Sequence, residues 1–412
     1  MKQQEQVANW KRNIFLFLTS QTISLFGSSL VQYAIMWYIT LTTQSGMMMT
    51  IAILCGFVPT FLLSPFAGVW ADRYNRKMLI MLSDSMIAVA TLILAILFLS
   101  GFESIWMLFA MYFIRAIGTG IQTPAVGAIL PQIVPENQLT KVNGLNGSIQ
   151  ALVMLLSPMA SAALLSITTL ETLFIIDVIT AAIAVLTLLL FLKIPTHAKA
   201  SEKQENGYFG DFLSGLRYIN QHGFLKRFFT FFAIFFFLAA PVSFLTPLQV
   251  TRTFGDDVWR LSAIEIAFSI GMIAGGSVIA MWGGFKNKVH TMALASIIFA
   301  LCTLLLGIVP KFLLYCFIMG VAGISMPLFN TPSTVLLQEK VEGDYLGRIF
   351  GVFTMISSSM MPLGMLIFGP ISDKIAIEWL LIGTGICMVM ITIFLIGSKV
   401  LVEAGKPKVS SQ

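Results

Sequence analysis

Residues 68–77 read GVWADRYNRK, and the reading of this stretch decides the fold. A long, mostly apolar run precedes it and another follows. Asp72, Arg73, Arg76 and Lys77 place four charges within it, so it is a wet connection between two apolar segments. The same alternation continues outward in both directions. Twelve apolar segments can be marked, at 13–41, 47–71, 77–100, 104–126, 141–166, 171–193, 224–250, 259–283, 289–309, 311–333, 346–370 and 377–400. A helix needs about twenty apolar residues to cross the hydrocarbon of a bilayer. Spanning strands would alternate apolar and polar residues over about ten positions, and these runs do not.

The composition agrees. The chain has 412 residues, 57% hydrophobic and 11% charged, with mean hydropathy +0.88. A soluble domain averages about 25% charged residues. So few charges cannot cover a water-facing surface, so lipid is the main solvent. The net charge of +6 does not point to nucleic acid, because the basic residues are scattered between the apolar runs. Cys55, Cys302, Cys316 and Cys387 lie in apolar segments without CxxC spacing and read as small buried hydrophobes. His197, His222 and His290 flank predicted helices and form no cluster, which argues against zinc. Neither a GxxxxGK[ST] loop nor HExxH is present, so an ATPase or a zinc protease has no support. The first apolar run starts at Asn13, is too long for a signal peptide, and no small-residue cleavage pattern follows it.

Most connections are short. The exception, 194–223, is expected to be a cytoplasmic linker between a six-helix half at 1–193 and a second half with its tail at 224–412. HAKASEKQENG within it is polar and reads as a flexible linker. In DFLSGLRYINQ that follows, Phe212, Leu216 and Ile219 fall at helical spacing, so the piece either lies along the membrane surface or extends the seventh helix. Of the 25 Lys and Arg, four (Arg252, Arg260, Lys311 and Lys374) fall on one side of the membrane and Arg115 falls inside a segment. The rest share a side with both termini, which the positive-inside rule places in the cytosol. The halves also resemble each other. VPENQLTKVNGL from Val134 aligns with VEGDYLGRIFGV from Val341, and Pro158 aligns with Pro362, a helix-bending position in each half. Two six-helix repeats around a cavity are a transporter architecture.

GVWADRYNRK has the pattern G-x-x-x-D-R-x-x-R-K between the second and third segments. Here the chain resembles the major facilitator superfamily, which carries this signature in this loop. The counterpart GGFKNK (Gly283–Lys288) keeps only glycines and two lysines. Arg115 in FIRAIGTG resembles the fourth-helix motif of proton-coupled exporters, whereas LSPMASA (Leu156–Ala162) keeps the proline of the fifth-helix exporter motif but not its glycines. NWKR, FIRAIGTGIQTPA, LPQIVPENQLTKVNG, IEIAFSIGMIAGG and LQEKVEGDYLGRIF are similar to the macrolide-efflux branch of the superfamily. That resemblance implies an all-α fold of twelve membrane helices in two pseudo-repeats, in a bacterial cell membrane. It implies export of hydrophobic or cationic drugs such as macrolides, by proton antiport and alternating access. It also implies a gating role for Gly68, Asp72, Arg73, Arg76 and Lys77. Asp72 would oppose the dipole of its own helix, and the resemblance gives it a partner in the start of the eleventh helix, near Leu346–Arg348. The same branch is similar to siderophore exporters, so a siderophore or other metabolite is the alternative cargo.

Four ionisable residues sit inside predicted helices: Asp84, Arg115, Asp177 and Glu265. Such residues are costly in a bilayer, by about 2.5–3.5 kcal/mol on insertion scales, and default to function. Arg115 is nearest the middle of its helix and cannot lose its charge. It therefore requires a carboxylate, a polar pocket or water. Burial would raise the affinity of Glu265 for a proton, which a cationic drug would displace; Asp177 and Asp84 are further candidates for coupling or substrate binding. The first helix contains no acid. Its Gln21, Ser24, Ser28 and Gln32 form a polar stripe that cannot face lipid cheaply and is expected to line a cavity. Met355 and Met361, in MISSSMM, are candidates for a soft cavity wall. The Phe-rich run Phe228–Phe237 reads as packing or lipid contact.

Three alternatives compete with a drug exporter. A sugar or nutrient importer would need many amide and charged side chains in its cavity, and the expected cavity looks too apolar for one. An enzyme would need a clustered acid/base or metal set, which is not seen. A lipid flippase would share the fold. A proton-coupled drug exporter fits best, working as a monomer with drug, protons and bilayer as its only partners, without cofactor, metal or nucleic acid.

Overall fold

Helix formation follows the apolar segments closely. The structure, a computed structural model, describes residues 10–135, 138–192 and 217–406. All of its regular elements are helical: α1 (Trp10–Thr43), α2 (Gly46–Arg73), α3 (Arg76–Leu99), α4 (Ile105–Ile133), α5 (Leu139–Ile167), α6 (Leu170–Phe191), α7 (Gly223–Leu238), α8 (Ala240–Phe244), α9 (Thr246–Phe254), α10 (Val258–Trp282), α11 (Lys288–Leu306), α12 (Phe312–Lys340), α13 (Gly343–Ser372), α14 (Ile377–Gly397) and α15 (Lys399–Ala404). Eleven of these are long and apolar enough to cross a membrane. The remaining apolar segment, expected at 224–250, is split into α7, α8 and α9. Pro241 and Pro247 cause the split, each sitting in the first turn of a new piece where its missing N–H costs nothing. Helical bonding crosses both junctions, through Ser243 N to Ala239 O and Gln249 N to Leu245 O. Many apolar side chains point outward, such as Ile167, Met281 and Leu313, which lipid accommodates and water does not.

The chain divides into two units. The first holds residues 1–39 and 51–203, the second residues 40–50 and 204–412. Most of the linker expected at 194–223, residues 194–216, lies outside the described residues. Residues 217–221 are helical. There Tyr218 and Ile219 are buried, and Tyr218 stacks on His222 at 4.1 Å and on Tyr345 at 4.3 Å.

Each unit repeats one plan. In the first, α3 packs on α4 and α6; in the second, α11 packs on α12 and α14, which are the corresponding members of the repeat. The loops before α3 and α11 share more than the sequence reading saw. Asn75 caps α3 by accepting from Met78 N, and Asn287 caps α11 by accepting from Val289 N. The next residue reaches the helix packed alongside: Arg76 donates to Ala128 O of α4 at 2.7 Å, and Lys288 pairs with Glu339 of α12 at 2.9 Å. Both loops also tie to the end of the unit. Lys77 Nζ donates to Leu192 O at the C-terminus of α6, and Asn287 Nδ2 to Val402 O in α15. The loop before α11 is GGFKNK because Gly283 and Gly284 have φ of +73° and +81°, where a side chain is strained. Helices α10 and α12 touch backbone to backbone. A Cβ on Gly271 or Gly275 would collide with the carbonyl oxygens of Gly320 or Ile324, which explains the small residues of SIGMIAGG.

Candidate functional site

The first unit contains a cavity of about 430 Å³. Helix α1 supplies Gln21, Ser24, Ser28 and Gln32 to its wall, one residue per turn along a single face. Helix α4 supplies Arg115 and Gln122, and α5 supplies Asn143, Asn146 and Gln150. An apolar cluster including Phe17, Ile80, Ala125, Ile129 and Leu188 packs the same unit and holds these helices in register.

Arg115 is 8% exposed, and its charge is met from three sides. Its Nη1 donates to Asp177 Oδ2 at 2.6 Å and to Thr91 Oγ1 at 3.3 Å, and its Nη2 donates to Ser28 O at 2.8 Å. Asp177 on α6 is fully buried. Its other oxygen accepts from Ser28 Oγ at 3.2 Å, so both carboxylate oxygens are bonded. A buried pair repays its desolvation only when the geometry is good and the remaining lone pairs are satisfied; here they are. Asp84 on α3 is 3% exposed and makes a separate cluster. Its Oδ1 accepts from Ser24 Oγ at 2.9 Å and from Gln122 Nε2 at 3.0 Å.

Three of the four intramembrane ionisable residues thus gather in one unit. Glu265 stands apart on α10 in the second unit, half-buried and with no hydrogen bond or ion pair among the described residues. Met355 and Met361 are half-buried on α13 and do not line the cavity of the first unit. Pro158 and Pro362 are buried inside α5 and α13, which continue through them. Of the loop 68–77, Arg73 is exposed and Arg76 and Lys77 bond helix carbonyls as described. The surroundings of Gly68 and of the Asp72 side chain lie outside the described residues.

The structure corrects one expectation. The cavity of the first unit is not too apolar for a polar cargo: six amide side chains and an arginine line it. Reading α1 alone found two of those amides. Asn143, Asn146 and Gln150 were missed, although their spacing of three and four residues puts them on one helix face. Thr91 and Gln122 carry no such pattern.

The interior of the second unit is aromatic. Phe228, Phe229, Phe231, Phe232, Phe235 and Phe236 are buried, so the Phe-rich run packs inward. Phe329 lies 4.9 Å from Phe232 and 4.8 Å from Phe235 between ring centroids. At one edge of this unit Asp373, just after α13, caps the start of α2. It accepts from Gly46 N at 2.7 Å, Met47 N at 3.0 Å and Ser45 Oγ at 2.7 Å, and Arg252 pairs with it at 3.2 Å. Arg252 also donates to Ser372 O and Gln44 O. Partial burial pushes the Asp373 carboxyl up, but the hydroxyl, the two backbone N–H groups and the guanidinium outweigh it and hold the carboxyl below its ordinary range. Among the described residues no cluster of His, Cys, Asp or Glu suits a metal ion.

Comparison with known proteins places this architecture. The family model described as Major Facilitator Superfamily matches residues 17–365. The chain is 30% identical over 391 residues to Macrolide efflux protein A of Streptococcus pyogenes, covering 94% of this chain and 96% of that one. It is 23% identical over 381 residues to the Staphyloferrin A transporter of Staphylococcus aureus, covering 91% and 94%. Among solved structures, a POT family transporter in complex with a thioalcohol-conjugated peptide superposes with a TM-score of 0.74 at 14% identity, over 94% of this chain and 96% of that one. That last likeness is one of fold.

Proposed function

The chain belongs to the major facilitator superfamily, on its macrolide-efflux branch, and from that premise we propose that it exports hydrophobic or cationic drugs, macrolides first among them, by proton antiport and alternating access. The protein is a multi-pass bacterial membrane transporter; cargo, coupling ion and orientation belong to the proposal. The observation that carries it is the Arg115–Asp177 pair, buried at a cavity whose wall carries amide and hydroxyl side chains. Asp177 already has its cation, Arg115, at 2.6 Å. Asp84 and Glu265 have no cation beside them among the described residues, which leaves them as the acids available to take up and release a proton. The proton then enters on one side of the membrane and leaves on the other as the cargo moves the opposite way. The loop 68–77 is proposed as part of the cytosolic gate, with both termini in the cytosol.

A second reading, export of a siderophore or another polar metabolite, is favoured by the amide lining of the cavity. The test is a host lacking its own pumps, loaded with labelled erythromycin and, in parallel, with a panel of siderophores. Expression of the protein lowers erythromycin accumulation, and collapsing the proton gradient restores it. Accumulation unchanged by the protein, or efflux that survives collapse of the gradient, sinks the drug-antiport reading. Export of a siderophore alone selects the second one.

A further inference from the structure

Asp84 and Gln21 leave a matched pair of hydrogen-bonding groups unfilled beside the cavity. Asp84 Oδ1 is bonded, but Oδ2 is buried and has no partner among the described residues. Gln122 Nε2 is 3.0 Å from Asp84 Oδ1 and 3.4 Å from Gln21 Oε1, so one amide ties the two residues together. The remaining Gln21 atom, Nε2, is also buried without a partner among the described residues. The result is one open acceptor and one open donor, each next to an atom held by Gln122. Orphaned buried groups are costly, and both lie in or directly behind the wall formed by Gln21, Ser24 and Gln122.

The chemistry of the gap selects its occupant. An ammonium donates only, and would leave Gln21 Nε2 empty. An ether or carbonyl oxygen accepts only, and would leave Asp84 Oδ2 empty. A carboxylate would meet Asp84 charge against charge. A hydroxyl does both, donating to Asp84 Oδ2 in a bond strengthened by the carboxylate's charge and accepting from Gln21 Nε2. We infer that Asp84 and Gln21 form a hydroxyl-binding subsite in the first unit, taking a sugar or polyol hydroxyl of the cargo. Asn143, Asn146 and Gln150 on α5 extend the same chemistry along the wall, since each amide offers donors and an acceptor to further hydroxyls. This rests on the reading of the chain as an exporter whose cargo enters this cavity.

The test is direct binding of erythromycin and a series of its mono-O-methyl ethers to the purified protein in lipid nanodiscs. Methylating the hydroxyl that fills the subsite removes its donor, so one ether binds the wild type about tenfold more weakly than the parent. Asp84→Asn erases that difference, because its amide N–H meets either oxygen; Gln21→Leu removes a donor that both oxygens accept from, so it weakens parent and ether alike and keeps the difference. A wild type that binds all members equally overturns the hydroxyl site alone, with water as the occupant of the gap. A difference that survives in Asp84→Asn does the same, placing the sensitive hydroxyl elsewhere. A wild type that binds none of the series overturns the macrolide reading of the cargo and this subsite with it.

Discussion

In the first unit Arg115, Asp177 and Asp84 are buried among hydroxyls and amides, whereas the interior of the second unit is filled by Phe228, Phe232, Phe235 and Phe329. Both units are built on one repeat, with the same helices packed and the same loop capped by asparagine. The repeat therefore supplies the scaffold, and the chemistry was placed in one copy. Hydrogen bonds and ion pairs are directional and lose much when one member is removed. Ring packing is tolerant of shape-preserving change. The two units should answer substitution in different ways.

The largest effect is expected at the buried pair. Arg115→Met strands the Asp177 carboxylate and should cost about 3–5 kcal/mol, read as a fall in the thermal unfolding midpoint together with loss of transport. Adding Asp177→Leu removes the stranded charge and should recover most of the stability while transport stays absent. A double variant as unstable as the single one would break the contrast, because the loss would then come from packing. Next is Glu265→Gln, which should weaken gradient-driven export at normal protein level. Unchanged transport would clear Glu265 of a coupling role and leave Asp84 as the acid to examine.

Asp373 gives a smaller effect with a pH signature. Asp373→Ala removes the cap of α2 and should cost about 0.5–2 kcal/mol. The folded-state pKa of Asp373 is lowered, so its contribution is present in full above the ordinary aspartate value of about 3.9 and is lost as pH falls through the lowered value. The stability gap between wild type and Asp373→Ala should be constant from neutral pH to about 5 and close only below about 4. A gap that closes near neutrality would mean that another group is titrating. Smallest of all, Phe232→Leu should change stability by about 1 kcal/mol and leave transport intact. A loss of transport in that variant would show that the aromatic interior carries more than packing.

Much of the scaffold was legible because it depends on local pattern. Apolar runs of helical length located the helices, and a net excess of cations on one side suggested an orientation. The position of Arg115 in the middle of its helix demanded a partner. The identity of that partner was not legible, since Asp177 lies on α6 and only packing brings it within 2.6 Å. The same holds for Gln122, which gains meaning only when α3 and α1 set Asp84 and Gln21 on either side of it. GGFKNK looked like a decayed copy of GVWADRYNRK because identity was compared, whereas the conserved quantity is the cap made by Asn75 and Asn287. The seventh apolar segment read as one span because hydropathy does not register the first-turn positions of Pro241 and Pro247.

The central claim is tested most directly in proteoliposomes holding the purified protein, with an imposed pH gradient, acid inside, and a pH-sensitive dye trapped in the lumen. The account predicts that labelled erythromycin accumulates inside while the lumen turns alkaline faster than in empty vesicles. It further predicts that an ionophore which dissipates the gradient stops both, and that Arg115→Met shows neither. Accumulation that proceeds equally without the gradient, or without accelerated loss of luminal protons, would contradict it.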